Sequence, residues 1–111
     1  MENALTRTEE MLLLMVCRLQ EEAYGMQIRE EVKTQTGKKY SIGGIYVPLD
    51  RLVVKGFLEV QDEKPAEERV GRPRRRFSIT VEGVNALRAT REMQQSLWDL
   101  PDVVLQKHKL I

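Results

Sequence analysis

The chain has 111 residues, 32% of them charged and 41% hydrophobic, which suits one modest core and is too short for a typical two-domain enzyme. This balance is atypical of disordered, collagen-like and membrane proteins. The longest apolar run, Met11 to Cys17, is far below the roughly 20 residues of a membrane span. The formal net charge of +1, taken alone, argues against a polyanionic partner.

The charges are unevenly distributed along the chain. Residues 1–68 carry 9 basic and 13 acidic side chains, residues 69–76 carry 5 basic and none acidic, and residues 77–111 carry 4 of each. A cluster of arginines therefore interrupts a mildly acidic background. Such a run is either a solvated loop or a binding surface, and its place in the fold must decide between them.

Histidine and cysteine are too scarce to build familiar catalytic or metal sites. The single histidine, His108, lies close to the end of the sequence, and the single cysteine, Cys17, lies in an apolar stretch typical of a packed core thiol. We therefore expect no enzyme activity, no metal and no cofactor. The sequence also opens without the pattern of a signal peptide, so we expect a cytoplasmic protein that does not associate with membranes.

Three helices are predicted in the first half of the chain. The first spans about 7–21, and the second spans about 25–35. A third begins after Ser41, a good N-cap, and ends before Gly56. Pro48 lies inside this third helix and predicts either a kink or a late start.

The hydrophobic period changes after the third helix. Residues 57–61 and 74–79 alternate apolar and polar side chains, which predicts two strands joined by a charged loop. The expected fold is mainly α with a two-stranded β wing, that is, a winged helix-turn-helix followed by a C-terminal dimerisation helix. Residues 1–80 would form the DNA-binding domain, and residues 81–111 the dimerisation helix and tail.

A fourth helix is predicted after Thr80, with an end or kink near Leu100 because Pro101 follows. Its apolar positions follow the spacing of a heptad seam, and a monomer of this size would leave such a seam partly exposed. We therefore expect a homodimer. The candidate dimerisation residues are Ala86, Thr90, Met93, Leu97, Leu100 and Val104.

Trp98 lies beside this seam. Two roles are open for it. The indole either anchors the dimer interface or lines an apolar pocket that stacks a small aromatic effector.

The third helix and the turn before it supply the first set of candidate DNA contacts. Glycines near its N-terminus either allow close approach to a phosphate or merely loosen the turn, and a small apolar side chain suits a thymine methyl. The tyrosine hydroxyl either reaches a phosphate or is purely structural. The candidates are Lys38, Lys39, Ser41, Gly43, Gly44, Tyr46, Val47 and Arg51.

The wing supplies the second set of candidate contacts. Arg72, ahead of Pro73, is placed for a narrow minor groove, and Arg74 and Arg75 are placed for phosphates. Because these arginines occupy the wing of a winged helix, the interpretation as a binding surface is favoured over a solvated loop.

These residues together resemble the PadR family of bacterial transcriptional regulators over about residues 5–90. The resemblance rests on Tyr24-Gly25, Ile28, Gly37, Ser41-Ile-Gly-Gly-Ile-Tyr46, Leu49, Arg51-Leu52, Gly56-Phe-Leu58, Gly71-Arg-Pro-Arg-Arg-Arg-Phe77, Ile79-Thr80, Gly83 and Leu87. It implies a homodimeric repressor with an N-terminal winged helix, a C-terminal dimerisation helix and, often, control by a small molecule or stress signal. Family members often place proline directly after the tyrosine of the third helix, whereas here Val47 intervenes.

The predicted function is that of a sequence-specific DNA-binding transcriptional regulator. Two-fold symmetry predicts double-stranded DNA with a palindromic operator as its partner. The alternative is a winged-helix protein-interaction or adaptor module that does not recognise a DNA sequence.

Overall fold

The computed structural model describes residues 5–63 and 74–109. Helix α1 spans Arg7–Leu19 and is followed by a 3-10 turn, Gln20–Glu22. Helices α2 and α3 span Gly25–Thr36 and Ile42–Val54. Strands β1 (Leu58–Glu63) and β2 (Arg74–Ile79) precede helices α4 (Val81–Leu97) and α5 (Asp102–His108). The predicted fold class, mainly α with a two-stranded β wing in a winged helix-turn-helix, is confirmed.

Helix α1 begins with a complete capping box. The Thr6 hydroxyl accepts from the Glu9 amide at 3.1 Å, and the Glu9 carboxylate accepts from the Thr6 amide at 2.9 Å. Glu9 is buried and also pairs with Lys55, which caps the C-terminal end of α3. Burial pushes the pKa of Glu9 upward, but hydrogen bonds from Lys55 and Thr6 outweigh it and hold the pKa below its usual value. This carboxylate therefore joins the start of α1 to the end of α3.

Helices α2 and α3 form the helix-turn-helix. Gly37 ends α2 in the left-handed conformation (φ 77°), which favours glycine. The Arg29 side chain then donates to the Tyr40 carbonyl at 2.6 Å and holds the turn against α2. Helix α3 starts directly after Ser41 and continues through Pro48, so the predicted late start is wrong. The helix tolerates Pro48 although the proline has no N–H to donate to the Gly44 carbonyl.

The wing is an antiparallel hairpin that docks on the helices. Its register pairs Leu58 with Ile79 and Glu63 with Arg74. The segment before α2 extends this sheet, because Tyr24 forms a β-bridge with Arg76. Beside it, the Phe77 amide donates to the Ala23 carbonyl at 2.9 Å. The wing therefore has a fixed orientation relative to α2.

One core lies between the three N-terminal helices and the wing. Its fully buried side chains come from helices α1, α2 and α3 and from both strands, and each adds roughly 1.5–3 kcal/mol of hydrophobic stabilisation. They include Leu12, Leu13, Ile28, Val32, Ile45, Leu49, Leu52 and Phe77.

Helix α4 packs on this body from its first turn to Gln94, whose side chain donates to the Glu10 carboxylate at 3.0 Å. Thr80 caps it by accepting from the Gly83 amide at 3.0 Å. Gly83 lies so close to the Phe57 carbonyl that an added Cβ would stand 2.3 Å from that oxygen. The helix ends at Leu97, and α5 follows after Pro101, as predicted from that proline. No helix in residues 5–63 and 74–109 is long and apolar enough to cross a membrane.

Candidate nucleic-acid interface

Helix α3 has one buried face and one exposed face. The Ser41 hydroxyl accepts from the Gly44 amide at 2.9 Å and starts the helix, so its side chain has a capping role. Ile45, Leu49 and Leu52 then face the core and are buried. This packing fixes which side of the helix remains available to a partner.

The opposite face carries small and lightly charged side chains. Gly43 and Arg51 are exposed, and Val47 is 55% exposed. Asp50 is exposed on the same side. Gly44 is half-buried, and an added Cβ there would lie 3.0 Å from the Ser41 hydroxyl oxygen. The described chain therefore leaves a shallow outer surface along α3.

The turn before α3 adds positive charge at one end of that surface. Lys38 and Lys39 are both exposed there. They directly precede Tyr40 and the helix cap, so their side chains lie near the N-terminus of α3. This end of α3 combines two cations with the positive end of the helix dipole.

Tyr46 points toward the wing. Its ring centroid lies 6.5 Å from that of Phe77. An added Cβ on Gly25 would stand 2.1 Å from the Tyr46 hydroxyl oxygen, so this hydroxyl rests against the start of α2. It borders a cavity of about 220 Å³ that Arg74 and Arg75 also line. Of the two predicted roles, this position favours a packing residue whose hydroxyl lies against the start of α2, beside the wing.

Tyr24 and Arg74 form the base of the wing. The Arg74 guanidinium carbon lies 3.7 Å from the centroid of the Tyr24 ring, within range of a cation–π contact. The Tyr24 hydroxyl donates to the Glu63 carboxylate at 2.8 Å. That hydrogen bond raises the pKa of Tyr24, and burial adds to the shift. Arg74 is therefore oriented by an aromatic ring.

Arg75 is held between two carboxylates. Its Nη1 lies 2.9 Å from Asp50 Oδ1, and its Nε lies 3.4 Å from Asp62 Oδ1. This arrangement differs from the expectation of an arginine available for phosphates.

Arg76 is also paired, because its Nη1 lies 2.9 Å from Glu21 Oε2. Two of the clustered arginines are thus partly neutralised by acidic side chains of β1, α3 and the 3-10 turn. This pairing could have been predicted from the sequence, because β1 carries acidic residues and its antiparallel pairing with β2 places them opposite the arginines. The other wing candidate, Arg72, lies outside the described residues.

The predicted dimerisation residues fall into two groups. Ala86 and Thr90 are buried within the single chain, because α4 starts against the body. Met93 and Leu97 are exposed, at 51% and 70%, and Leu100 and Val104 are half-buried. The single chain therefore already covers the first two positions of the predicted seam and leaves Met93 and Leu97 exposed.

Trp98 is 68% exposed and caps the C-terminal end of α4. It continues the exposed apolar surface formed by Met93 and Leu97. The single chain leaves most of the indole uncovered. Both predicted roles, the interface anchor and the wall of an effector pocket, therefore require a second molecule to cover it.

Burial raises the pKa of the Cys17 thiol, which disfavours the nucleophilic thiolate. Within residues 5–63 and 74–109, no three His, Cys, Asp or Glu side chains are grouped to hold a metal.

A helix-turn-helix whose third helix has an exposed face, together with an adjoining arginine-bearing hairpin, defines the winged helix-turn-helix class of DNA-binding proteins. The profile of the transcriptional regulator PadR-like family matches residues 13–89, which is more than half of the chain. The chain therefore belongs to the PadR-like family, and it is a DNA-binding transcription regulator. That family comprises transcription regulators and not enzymes.

Solved structures show the same architecture. RosR of H. salinarum, in the complex named hsRosR-S1, is 25% identical over 95% of this chain and 86% of its own, with a TM-score of 0.64. A PadR-like transcription factor from Bacteroides fragilis is 22% identical over 78% of this chain and 81% of its own, with a TM-score of 0.64.

A PadR family regulator from Clostridium difficile is 20% identical over 87% of this chain and 95% of its own, with a TM-score of 0.61. The B. fragilis and C. difficile likenesses concern the fold alone. No curated protein sequence matches the chain significantly.

Proposed function

We propose that this protein is a cytoplasmic homodimeric repressor that binds a palindromic operator and is released by a small molecule or stress signal. The observation that carries the proposal is the two-sided character of α3. Its inner residues are buried in the core, whereas Gly43, Val47 and Arg51 remain exposed on the opposite side. A helix presented in this way suits insertion into the major groove.

The individual DNA contacts follow from this docking. Gly43 permits close approach of the α3 backbone, Val47 meets a thymine methyl, and Arg51 contacts a base edge or phosphate. Lys38 and Lys39 contact the DNA backbone beside the start of α3. Ser41 and Gly44 shape that start, and Tyr46 supports it from within.

The wing adds phosphate contacts. The Arg74 guanidinium makes a cation–π contact with the Tyr24 ring and forms no ion pair among residues 5–63 and 74–109. Its charge is thus more available than that of Arg75 or Arg76. We therefore assign the phosphate contact of the described wing to Arg74, with Arg72 as a further candidate for the minor groove.

Fluorescence anisotropy with duplexes from the gene's own upstream region tests DNA binding. For the wild type, the logarithm of affinity falls linearly with the logarithm of salt concentration. Arg74→Ala is expected to reduce the magnitude of this slope by about one, and Arg51→Ala to weaken operator binding roughly tenfold. Arg18→Ala is the matched control, because Arg18 is an exposed arginine of α1 that pairs with Glu31. Absence of salt-dependent duplex binding, together with capture of an acidic protein, would favour the adaptor alternative.

The dimer is supported by the exposed apolar surface of the C-terminal helices, defined by Met93, Leu97 and Trp98. We propose that residues 1–80 bind DNA and that this surface, within residues 81–111, meets its copy. Leu97→Glu is expected to yield a monomer in sedimentation velocity, because a charge would be buried at the interface. Gln95→Glu, an exposed position on the same helix, is the control. A wild-type monomer at micromolar concentration would contradict the proposal.

Release by a ligand is tested through Trp98, the single tryptophan of the chain. In a dimer, paired indoles would border an apolar pocket for a planar aromatic effector. Quenching of tryptophan fluorescence by members of an aromatic panel, with loss of operator binding at the same concentrations, is the expected result. If no compound in the panel has either effect, Trp98 is an interface anchor only.

A further inference from the structure

Asp50 is an acidic residue on the face of α3 that the proposed function turns toward DNA. Its side chain is 54% exposed, and its neighbours on that face are Val47 and Arg51. A carboxylate near DNA phosphates is repelled by them, and this repulsion lowers affinity for every sequence. Asp50 can therefore favour DNA binding only if its carboxylate makes a contact that compensates for this repulsion.

Arg75 holds this carboxylate from the wing. The Nη1 donor lies 2.9 Å from Asp50 Oδ1, while Nε is directed to Asp62, the cross-strand partner of Arg75. The guanidinium thus bridges β1 and α3 through an ion pair with Asp62 and a hydrogen bond to Asp50, and its planar donors fix the direction of that hydrogen bond. The contact orients Asp50 instead of leaving it to rotate in solvent.

The charge balance of this cluster is negative. One guanidinium stands between two carboxylates, so Asp50, Asp62 and Arg75 together carry a formal charge of −1. Arg75 is consequently a poor phosphate ligand, since a phosphate would have to displace a carboxylate already bound. Among residues 5–63 and 74–109, Asp50 Oδ2 accepts no hydrogen bond.

The chemistry of a carboxylate restricts what Oδ2 can recognise. An ionised carboxylate only accepts hydrogen bonds, and the major groove offers two base donors, the N4 amino group of cytosine and the N6 amino group of adenine. Adenine places its N7 acceptor beside N6, where it repels a carboxylate. Cytosine presents its amino group without a neighbouring acceptor on the same base.

We propose that Asp50 is a specificity-determining residue that accepts a hydrogen bond from the N4 amino group of a cytosine in each half-site, and that Arg75 is its positioning residue. The proposal rests on the proposed function, because it requires α3 in the major groove. It replaces the expectation that Arg75 contacts phosphate. The wing then acts on base recognition as well as on the DNA backbone.

Selection from a randomised duplex pool tests the role of Asp50. The wild type is expected to enrich cytosine at one position of each half-site. Asp50→Asn is expected to lower that preference roughly tenfold and to shift it toward adenine, because an amide pairs with adenine N6 and N7. Glu31→Gln is the matched control: it removes a carboxylate from another exposed arginine pair, on α2, and is expected to keep the wild-type motif. Retention of the cytosine preference by Asp50→Asn overturns the assignment.

Arg75 variants separate positioning from phosphate contact. Arg75→Ala is expected to relax the same base position while leaving the salt slope of binding unchanged, and Arg75→Lys to restore part of the preference. If Arg75→Ala weakens all sequences equally and lowers the slope by about one, Arg75 is a phosphate ligand and the positioning role is wrong. Circular dichroism of each variant confirms that the fold is retained.

The selection experiment distinguishes failure of the proposed function from failure of the Asp50 and Arg75 assignment. If the wild type enriches no motif, sequence-specific binding itself is wrong. If it enriches a motif that neither Asp50→Asn nor Arg75→Ala alters, only the assignment of Asp50 and Arg75 is wrong.

Discussion

Replacing Gly43 by alanine is expected to move stability and DNA affinity in opposite directions. Gly43 lies in the first turn of α3, its φ is not positive, and an added Cβ would meet no atom within 4 Å. Alanine fits this backbone and has fewer unfolded conformations, so we expect stabilisation by about 0.4–1 kcal/mol. For a domain of this size that corresponds to a rise in Tm of roughly 2–4 °C.

The same methyl group would stand between α3 and DNA in the proposed complex. Displacing the helix from the groove floor weakens each contact made by Val47 and Arg51. We expect the operator Kd to rise roughly tenfold, or about 1.4 kcal/mol.

Urea denaturation at fixed protein concentration measures the change in the free energy of unfolding. Fluorescence anisotropy at fixed salt concentration measures the change in operator Kd. Thr34→Ala is the control, since Thr34 is exposed on α2 and its replacement raises helix propensity away from the outer face of α3. This control is expected to gain stability and keep full affinity. If Gly43→Ala bound the operator as tightly as wild type, the close approach at Gly43 would be refuted. A loss of stability would contradict the backbone argument.

Two further predictions concern the fold. Gly83→Ala is expected to destabilise the protein by about 1–3 kcal/mol in urea denaturation, because its Cβ would meet the Phe57 carbonyl oxygen at 2.3 Å, and backbone cannot rotate away as a side chain can. An unchanged urea midpoint for Gly83→Ala would mean that α4 does not pack closely against the Phe57 carbonyl. Glu9→Gln is expected to cost roughly 1–2 kcal/mol at neutral pH, because the ion pair with Lys55 is lost and the ammonium then donates to an uncharged amide oxygen. Because the pKa of Glu9 is lowered on folding, its stabilisation is present above the unfolded-state pKa and is lost as pH falls through the folded-state pKa. The difference between Glu9→Gln and wild type is therefore expected to disappear in acid, and a difference that persists there would assign the loss to packing instead of charge.

The sequence by itself determined the order and type of the elements. Helix caps such as Ser41 and Thr80, the left-handed stop at Gly37 and the change of period after Gly56 are local signals, and each acts within a few residues. These features could be predicted because the forces that produce them operate between neighbours in the chain.

Tertiary structure decided which charges and apolar groups remain available. The near-zero net charge concealed a cluster of arginines, but only the hairpin register and the approach of α3 pair Arg75 with Asp62 and Asp50. The packing of α4 on the body, with its close contact at Gly83, covers the first part of the heptad seam and leaves Leu97 exposed. Ion pairing and burial depend on residues far apart in sequence, so a local pattern cannot determine them. The net charge of +1 is thus neither evidence against DNA binding nor a measure of how basic the wing is.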